Sequence, residues 1–149
     1  MKLSIIVPVY GVEKYILEFA ESLLFQLNDE VELIIINDGT KDKSIDVLKE
    51  YVQKNDFQKK KIIWLEQENQ GQSVARNYGI SIAKGEYVTF LDPDDFVIEK
   101  YVPQILENLD LYADIDLYQY NAYIFKDNKV VDTLRLAENN DCTVLDLNI

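Results

Sequence analysis

Three of the four residues Asp92-Pro93-Asp94-Asp95 are carboxylates, and no Lys or Arg lies between Tyr87 and Glu99 to balance them. Carboxylates about 4 Å apart repel by roughly 4 kcal/mol at an effective dielectric of about 20, so a fold keeps such a group where solvent, a proton or a cation relieves it. A single Asp after a strand is an ordinary turn or helix cap, whereas three around a proline at the exit of an apolar run point to a cation site. A calcium EF-hand loop needs alternating oxygen ligands and then Gly, and Phe96 and Val97 follow here instead. The chain has no His and a single cysteine, Cys142. That removes His-based triads and Cys-rich zinc sites and leaves hard cations, Mg²⁺ or Mn²⁺. Such an ion takes one or two carboxylates and shares its other positions with water and substrate phosphates, so the acids imply a phosphate-bearing ligand.

Other residues belong with the acids. Gly11, Gly39, Gly71, Gly79 and Gly85 are isolated and match neither GxxxxGK[ST] nor GxGxxG, so the cation, rather than a glycine loop, is expected to hold the phosphates. Asp38 ends an apolar run and precedes Gly39; it either caps the following loop or accepts a hydrogen bond from a base N–H, with Tyr10 offering a ring for stacking. In "QGQSVARNYGI", Arg76 and Asn77 fall on the first turns of a helix. Arg76 either pairs with the Asp cluster or Asp38, or binds a ligand's phosphate or ribose; both readings bring it near the acids.

These groups need a scaffold. The runs "LSIIVPV" and "VELIIIND" read as strands buried on both faces, "KIIWLE" as a third strand and "EYVTFL" as a fourth, central one that ends at the acids. Between them, Val12, Tyr15, Ile16, Phe19 and Leu23 give one helical stripe, and Ile45, Leu48 and Val52 a second, capped by Asp42 or Ser44. Val74, Ala75, Tyr78 and Ile82 give a third, with Gly85 as its stop. The alternation predicts βαβ units with right-handed crossovers: an α/β, Rossmann-type, mostly parallel sheet with helices on both faces. Ligands of such sheets bind beyond the carboxyl ends of the strands where strand order reverses, and Pro8 to Tyr10, Asn37 and Asp38, Glu66 to Glu68 and Asp92 to Asp95 all fall at those ends. After the acids come a helix with Pro103 in its first turn and Ile105, Leu106 and Leu109 inward, then a β-hairpin, "DIDLYQYNAYIF" and "VVDTLRL" around "KDNK".

At 149 residues the chain is sized for one domain, and 48% hydrophobic with 28% charged residues is ordinary globular composition. A net charge of −12 argues against nucleic acid or an anionic membrane surface as the main partner. The run Lys59 to Lys61 reads as a solvated loop. The lone cysteine fits a reducing cytoplasm, and Leu3 to Tyr10 is too short for a membrane span and lacks a signal-peptide cleavage pattern.

The strings "SIIVPVYG", "INDGT", "GQSVARNYGI" and "GEYVTFLDPDD", in this order and spacing, resemble the nucleotide-binding half of the family-two inverting glycosyltransferases of the GT-A fold, over roughly residues 2–111. The resemblance implies that Pro8, Val9 and Tyr10 lie against the base of a nucleoside diphosphate sugar, usually a UDP-sugar, and that Asp38 takes the base N–H. Gly71 and Arg76 would join this nucleotide site. Asp92-Pro93-Asp94 matches the family's D-x-D element, with Asp92 near the ribose and Asp92 and Asp94 holding the metal; Asn77 and Asp95 would support it. Gly11 stands where the family usually has Asn.

An inverting transferase also needs a carboxylate base, which the family carries well beyond the D-x-D element. Asp114, Asp116, Asp141 and Asp146 do not match that motif, and the base is expected beyond Ile149. The expectation is therefore a donor-binding domain over residues 1–111 with a hairpin-bearing start of the acceptor side over 112–149, cut short, together one compact domain. It would serve a metal-dependent enzyme acting on a saccharide or lipid-linked acceptor, in the cytoplasm or at the inner membrane face, with the fragment itself transferring sugar poorly or not at all. The rival reading is a non-catalytic module binding a nucleotide sugar or a divalent cation.

Overall fold

The computed structural model describes residues 1–112, 116, 117, 122–126 and 129–134. They divide into two units, Met1–Glu107 and Asn108–Ile149. In the first, four strands alternate with helices: β1 (Leu3–Val9), α1 (Ile16–Leu23), β2 (Val31–Asn37), α2 (Ser44–Lys54), β3 (Ile62–Glu66), α3 (Gln72–Ile82) and β4 (Tyr87–Phe90). Helix α4 (Tyr101–Leu111) follows, with Val102, Ile105, Leu106 and Leu109 buried. In the second unit β5 (Ala122–Lys126) pairs antiparallel with β6 (Lys129–Leu134), as in the hairpin expected around "KDNK"; Asp116 and Leu117 of the expected first arm are not strand, and the rest of that arm before Ala122 and the end of the second arm lie outside the described residues.

The four-stranded sheet is entirely parallel, in the order β3-β2-β1-β4. From β1 to β2 to β3 the chain steps one way and from β3 to β4 it returns across the sheet. Right-handed crossovers therefore put α1 and α2 on one face and α3 on the other. Contacts agree: α1 packs on α2, and α3 packs on β1 and β2. Ile6, Ile34 and Ile36 meet Ala75 of α3, while Ile5, Val7, Leu33 and Ile35, which alternate with them, are fully or almost fully buried on the opposite face. This double burial is why β1 and β2 read as unbroken apolar runs.

The structure corrects four expectations. The first helix begins only at Ile16, so Tyr15 precedes it and is half exposed. On α3 it is Ala75 and Gly79 that meet the sheet, and Val74 and Ile82 are exposed. The helix sits so low that a methyl group on Gly79 would come within 2.5 Å of Ile6 Cγ2. Gly85 does not stop α3, which ends at Ile82; it is needed because a Cβ there would lie 2.5 Å from the Ser4 backbone nitrogen. At this bend the Gly85 N–H donates to Ser4 Oγ (2.8 Å) and the Lys84 N–H to buried Glu32 Oε1 (2.6 Å). Finally, β4 is not central among the described strands: it pairs only with β1, leaving Val88 and Phe90 exposed.

Among the described residues no helix is long and apolar enough to cross a membrane.

Candidate active site

Strand order reverses between β1 and β4, and the four strand exits line up beside that point. The Asp38 N–H donates to Val9 O (3.1 Å), the Gln67 N–H to Asn37 O (2.9 Å) and the Leu91 N–H to Ile6 O (3.1 Å), so the loops leaving β2 and β4 stay in register with β1 and the loop leaving β3 with β2. The strand exits that precede Tyr10, Asp38 and Asp92 thus lie together at the carboxyl end of the sheet.

On β1, Pro8 and Val9 are buried within the sheet, whereas Tyr10, directly after the strand, is 51% exposed. On β2, Asp38 is buried and turned toward the loop after β3. Its Oδ1 accepts from Gln67 Nε2 (2.8 Å) and the Gln70 N–H (2.9 Å), and its Oδ2 from the Gly71 N–H (3.0 Å). A carboxylate offers about four acceptor sites, so three bonds leave about one for a ligand. The charge also stands at the N-terminus of α3, where unpaired amides favour an anion. Gly39 lets the two loops close: its φ is +67°, and a Cβ there would lie 2.8 Å from the Asn69 nitrogen. Gly71, at φ +88°, makes the turn into α3 and is exposed.

Arg76 meets the acid loop. Its Nη2 lies 2.7 Å from Asp92 Oδ1, which also accepts from Gln72 Nε2 (2.7 Å), one turn earlier on the same helix. The guanidinium carbon sits 5.5 Å from the centre of the Phe90 ring, within cation–π range. Arg76 Nε is buried with no hydrogen-bond partner among the described residues. Asn77, one residue on, is carried about 100° round the helix and is exposed; the structure does not bring it to the acids.

The acid loop is a tight turn, closed by the Asp95 N–H on Asp92 O (3.0 Å), with Pro93 buried and Asp94 and Asp95 exposed. Burial, then the charges of Asp94 and Asp92, push the Asp95 carboxyl above its usual range. Downstream, the Val97 N–H donates to Ser22 Oγ (3.1 Å) and the Val102 N–H to Gln26 Oε1 (3.1 Å), anchoring the exit of the loop to the α1 side. Among the described residues no group of three or more His, Cys, Asp or Glu side chains is gathered to hold a metal ion.

Sequence reasoning missed the glutamines that serve these acids, Gln67 on Asp38 and Gln72 on Asp92, because a Gln outside the apolar runs carries no periodic signal. It also read Asp42 as a cap alone. In the structure Asp42 caps α2 through the Ser44 N–H and, from its other oxygen, accepts the Glu13 N–H of the loop after β1. Burial pushes its carboxyl up, but hydrogen bonds from Ser44, Thr40 and Glu13 outweigh that and bring it down to about 2. Asp116 is exposed; Asp114, Asp141 and Asp146 lie outside the described residues.

Comparison with known proteins gives a consistent answer. The profile of Glycosyl transferase family 2 matches residues 4–143. Glycosyltransferase GlyA of Streptococcus pneumoniae is 37% identical over 123 residues, which are 82% of this chain and 17% of that protein. The crystal structure of S. aureus TarS 1-349 in complex with UDP-GlcNAc is 28% identical, with a TM-score of 0.66 over 76% of this chain and 32% of that one. A mannosyltransferase from Pyrobaculum calidifontis, solved in complex with GDP-Man and Mn²⁺, is 18% identical and shares the fold, with a TM-score of 0.64 over 72% of this chain and 32% of that one. The chain therefore spans a third or less of the length of each of these proteins.

Proposed function

This chain belongs to glycosyl transferase family 2, and on that premise we propose that it is the donor-binding part of an inverting, metal-dependent glycosyltransferase that uses a nucleoside diphosphate sugar, UDP-linked by preference. The acceptor in this reading is a saccharide or a lipid-linked acceptor, reached on the cytoplasmic side. The TarS structure with UDP-GlcNAc supports the choice of donor, and the lone cysteine suits a reducing compartment.

The observation that carries the proposal is the 2.7 Å pair between Arg76 and Asp92, set beside exposed Asp94 and Asp95 at the switch point of the sheet. Arg76 is paired there with Asp92, and desolvation together with the charges of Asp94 and Asp92 pushes the Asp95 carboxyl upward. The donor set is all carboxylate oxygen, and Mg²⁺ or Mn²⁺ needs only one or two such ligands when phosphates supply others, so the residues fit the ion without a three-ligand cage. Asp94 would hold it, with Asp92 sharing. When bound, it supplies positive charge against the charge that grows on the departing diphosphate.

The remaining roles belong to the chain itself. Tyr10 stacks on the base, and the free acceptor capacity of Asp38 takes the base N–H, while its other bonds hold the 67–71 loop in place. Gly71 opens the backbone beside that contact. Arg76 orients Asp92 toward the ribose and offers the solvent-facing part of its guanidinium to a ligand oxygen. Inversion requires that the acceptor hydroxyl attack the anomeric carbon as the bond to diphosphate breaks, its proton passing to a carboxylate base. None of the described acids is given that task.

Calorimetry with UDP, with and without Mn²⁺, on this chain and on Asp94→Asn tests the reading. Mn²⁺ is expected to tighten UDP about tenfold or more in the wild type, a gain of roughly 1.4 kcal/mol, and to do little in the variant. Equal affinity in all four titrations would remove the metal assignment.

A further inference from the structure

The loop leaving β1 turns three successive backbone N–H groups toward the loop leaving β2. The Gly11 N–H donates to Thr40 Oγ1 (2.9 Å), the Val12 N–H to Ser44 Oγ (3.1 Å) and the Glu13 N–H to Asp42 Oδ2 (3.0 Å). Asp42 Oδ1 accepts the hydroxyls of Thr40 (2.8 Å) and Ser44 (2.5 Å) and the Ser44 N–H (3.0 Å), and the Lys43 N–H returns to Glu13 Oε2 (3.0 Å). Successive amides after a first strand are the donors with which a glycine-rich loop cradles phosphate. Here all three are already taken by side chains organised around one carboxylate, and the low pKa of Asp42 keeps that carboxylate charged at neutral pH. The arrangement begins directly after Tyr10, and Gly11 enters it at φ +71°.

We propose that Asp42 is a positioning residue for the donor site: acting through Thr40 and the amides of Gly11 and Glu13, it fixes the loop from which the Tyr10 ring meets the base. This rests on the donor-site reading above. In this scheme the phosphates are left to the β4 side, since the amides of Gly11, Val12 and Glu13 are already engaged. Asp42 touches no ligand in this scheme.

A double-mutant cycle on UDP affinity separates positioning from general destabilisation. Asp42→Asn and Thr40→Val are each made alone and in a Tyr10→Ala background, with circular dichroism to verify folding. Each single variant is expected to weaken UDP about tenfold, the scale of losing hydrogen bonds to a charged group, and to cost less than about twofold once Tyr10 is gone. Thr40→Ser, which keeps the hydroxyl, is expected to restore wild-type binding. Losses that add fully in the Tyr10→Ala background, or no loss from either single variant, would overturn the inference while leaving the donor site standing. A wild type that does not bind UDP, or that binds it equally well without the Tyr10 ring, would overturn the donor-site reading and the inference with it. If Asp42→Asn does not fold, the Thr40 pair of variants decides alone.

Discussion

Arg76 is anchored to Asp92 by a 2.7 Å hydrogen bond from Nη2 while its Nε, buried at the same site, meets no acceptor among the described residues. A buried donor left unpaired costs about 1–3 kcal/mol. The pair is about one-third exposed on each side, which limits its own contribution to stability to roughly 1 kcal/mol or less.

Arg76→Met is therefore expected to change thermal stability by less than about 1 kcal/mol while weakening UDP about tenfold or more. Arg76→Lys is expected to recover little, because an ammonium cannot reach Asp92 and a second acceptor with the planar fork of a guanidinium. Paired calorimetry and thermal denaturation check this; a loss of stability larger than the loss of binding would make the residue structural.

Asp95 gives a pH-dependent outcome. Burial and its acidic neighbours raise its folded pKa above the ordinary 3.8, so between those values the folded chain binds the proton more tightly than the unfolded one. Stability then falls as pH rises through that window and stays lower above it. Asp95→Asn is expected to be more stable than the wild type at pH 7, by less than about 1 kcal/mol for so exposed a group, and no more stable near pH 3. Denaturant titrations of both proteins at the two pH values measure the difference, and a gain that persists at low pH would rule out the electrostatic cause.

Two glycines with nearly equal φ separate backbone strain from contact. Around Gly11 (+71°) the space that a methyl group would take has nothing within 4 Å, whereas at Gly39 (+67°) the same methyl would meet the Asn69 nitrogen at 2.8 Å. Gly11→Ala is expected to cost about 1–2 kcal/mol, the left-handed penalty alone. Gly39→Ala adds the separation of the 37–40 and 67–71 loops and is expected to cost more, with Gln67 and the Gly71 N–H drawn off Asp38. Urea denaturation of the two variants reads the gap.

Much of the site is legible in the amino-acid sequence. The β1 and β2 runs lie buried on both faces, and the Asp92 and Arg76 strings end beside one another because α3 brings its first turns over the exit of β4. The helical stripes are less legible. Val74 and Ile82 fit the period of α3 as well as Ala75 and Gly79 do, and only the close approach to Ile6, which admits small residues alone, decides which side meets the sheet. Gly85 has the same lesson: a glycine after a helix suggests a C-cap, yet its cause is the backbone of β1 at Ser4, which passes too close for a side chain.

What the amino-acid order determined by itself was the alternation of strand and helix, the acid turn at a strand exit and the order of the four strings, because hydrophobic periodicity and turn chemistry act between near neighbours in the chain. What only the tertiary structure decided was which partner each polar group takes. Asp38 holds the 67–71 loop, Asp92 is held by Gln72 and Arg76, and Asp42 braces the loop of Tyr10. These pairings join residues 16 to 33 positions apart, and hydrogen bonds depend on distances of about 3 Å that no one-dimensional spacing encodes.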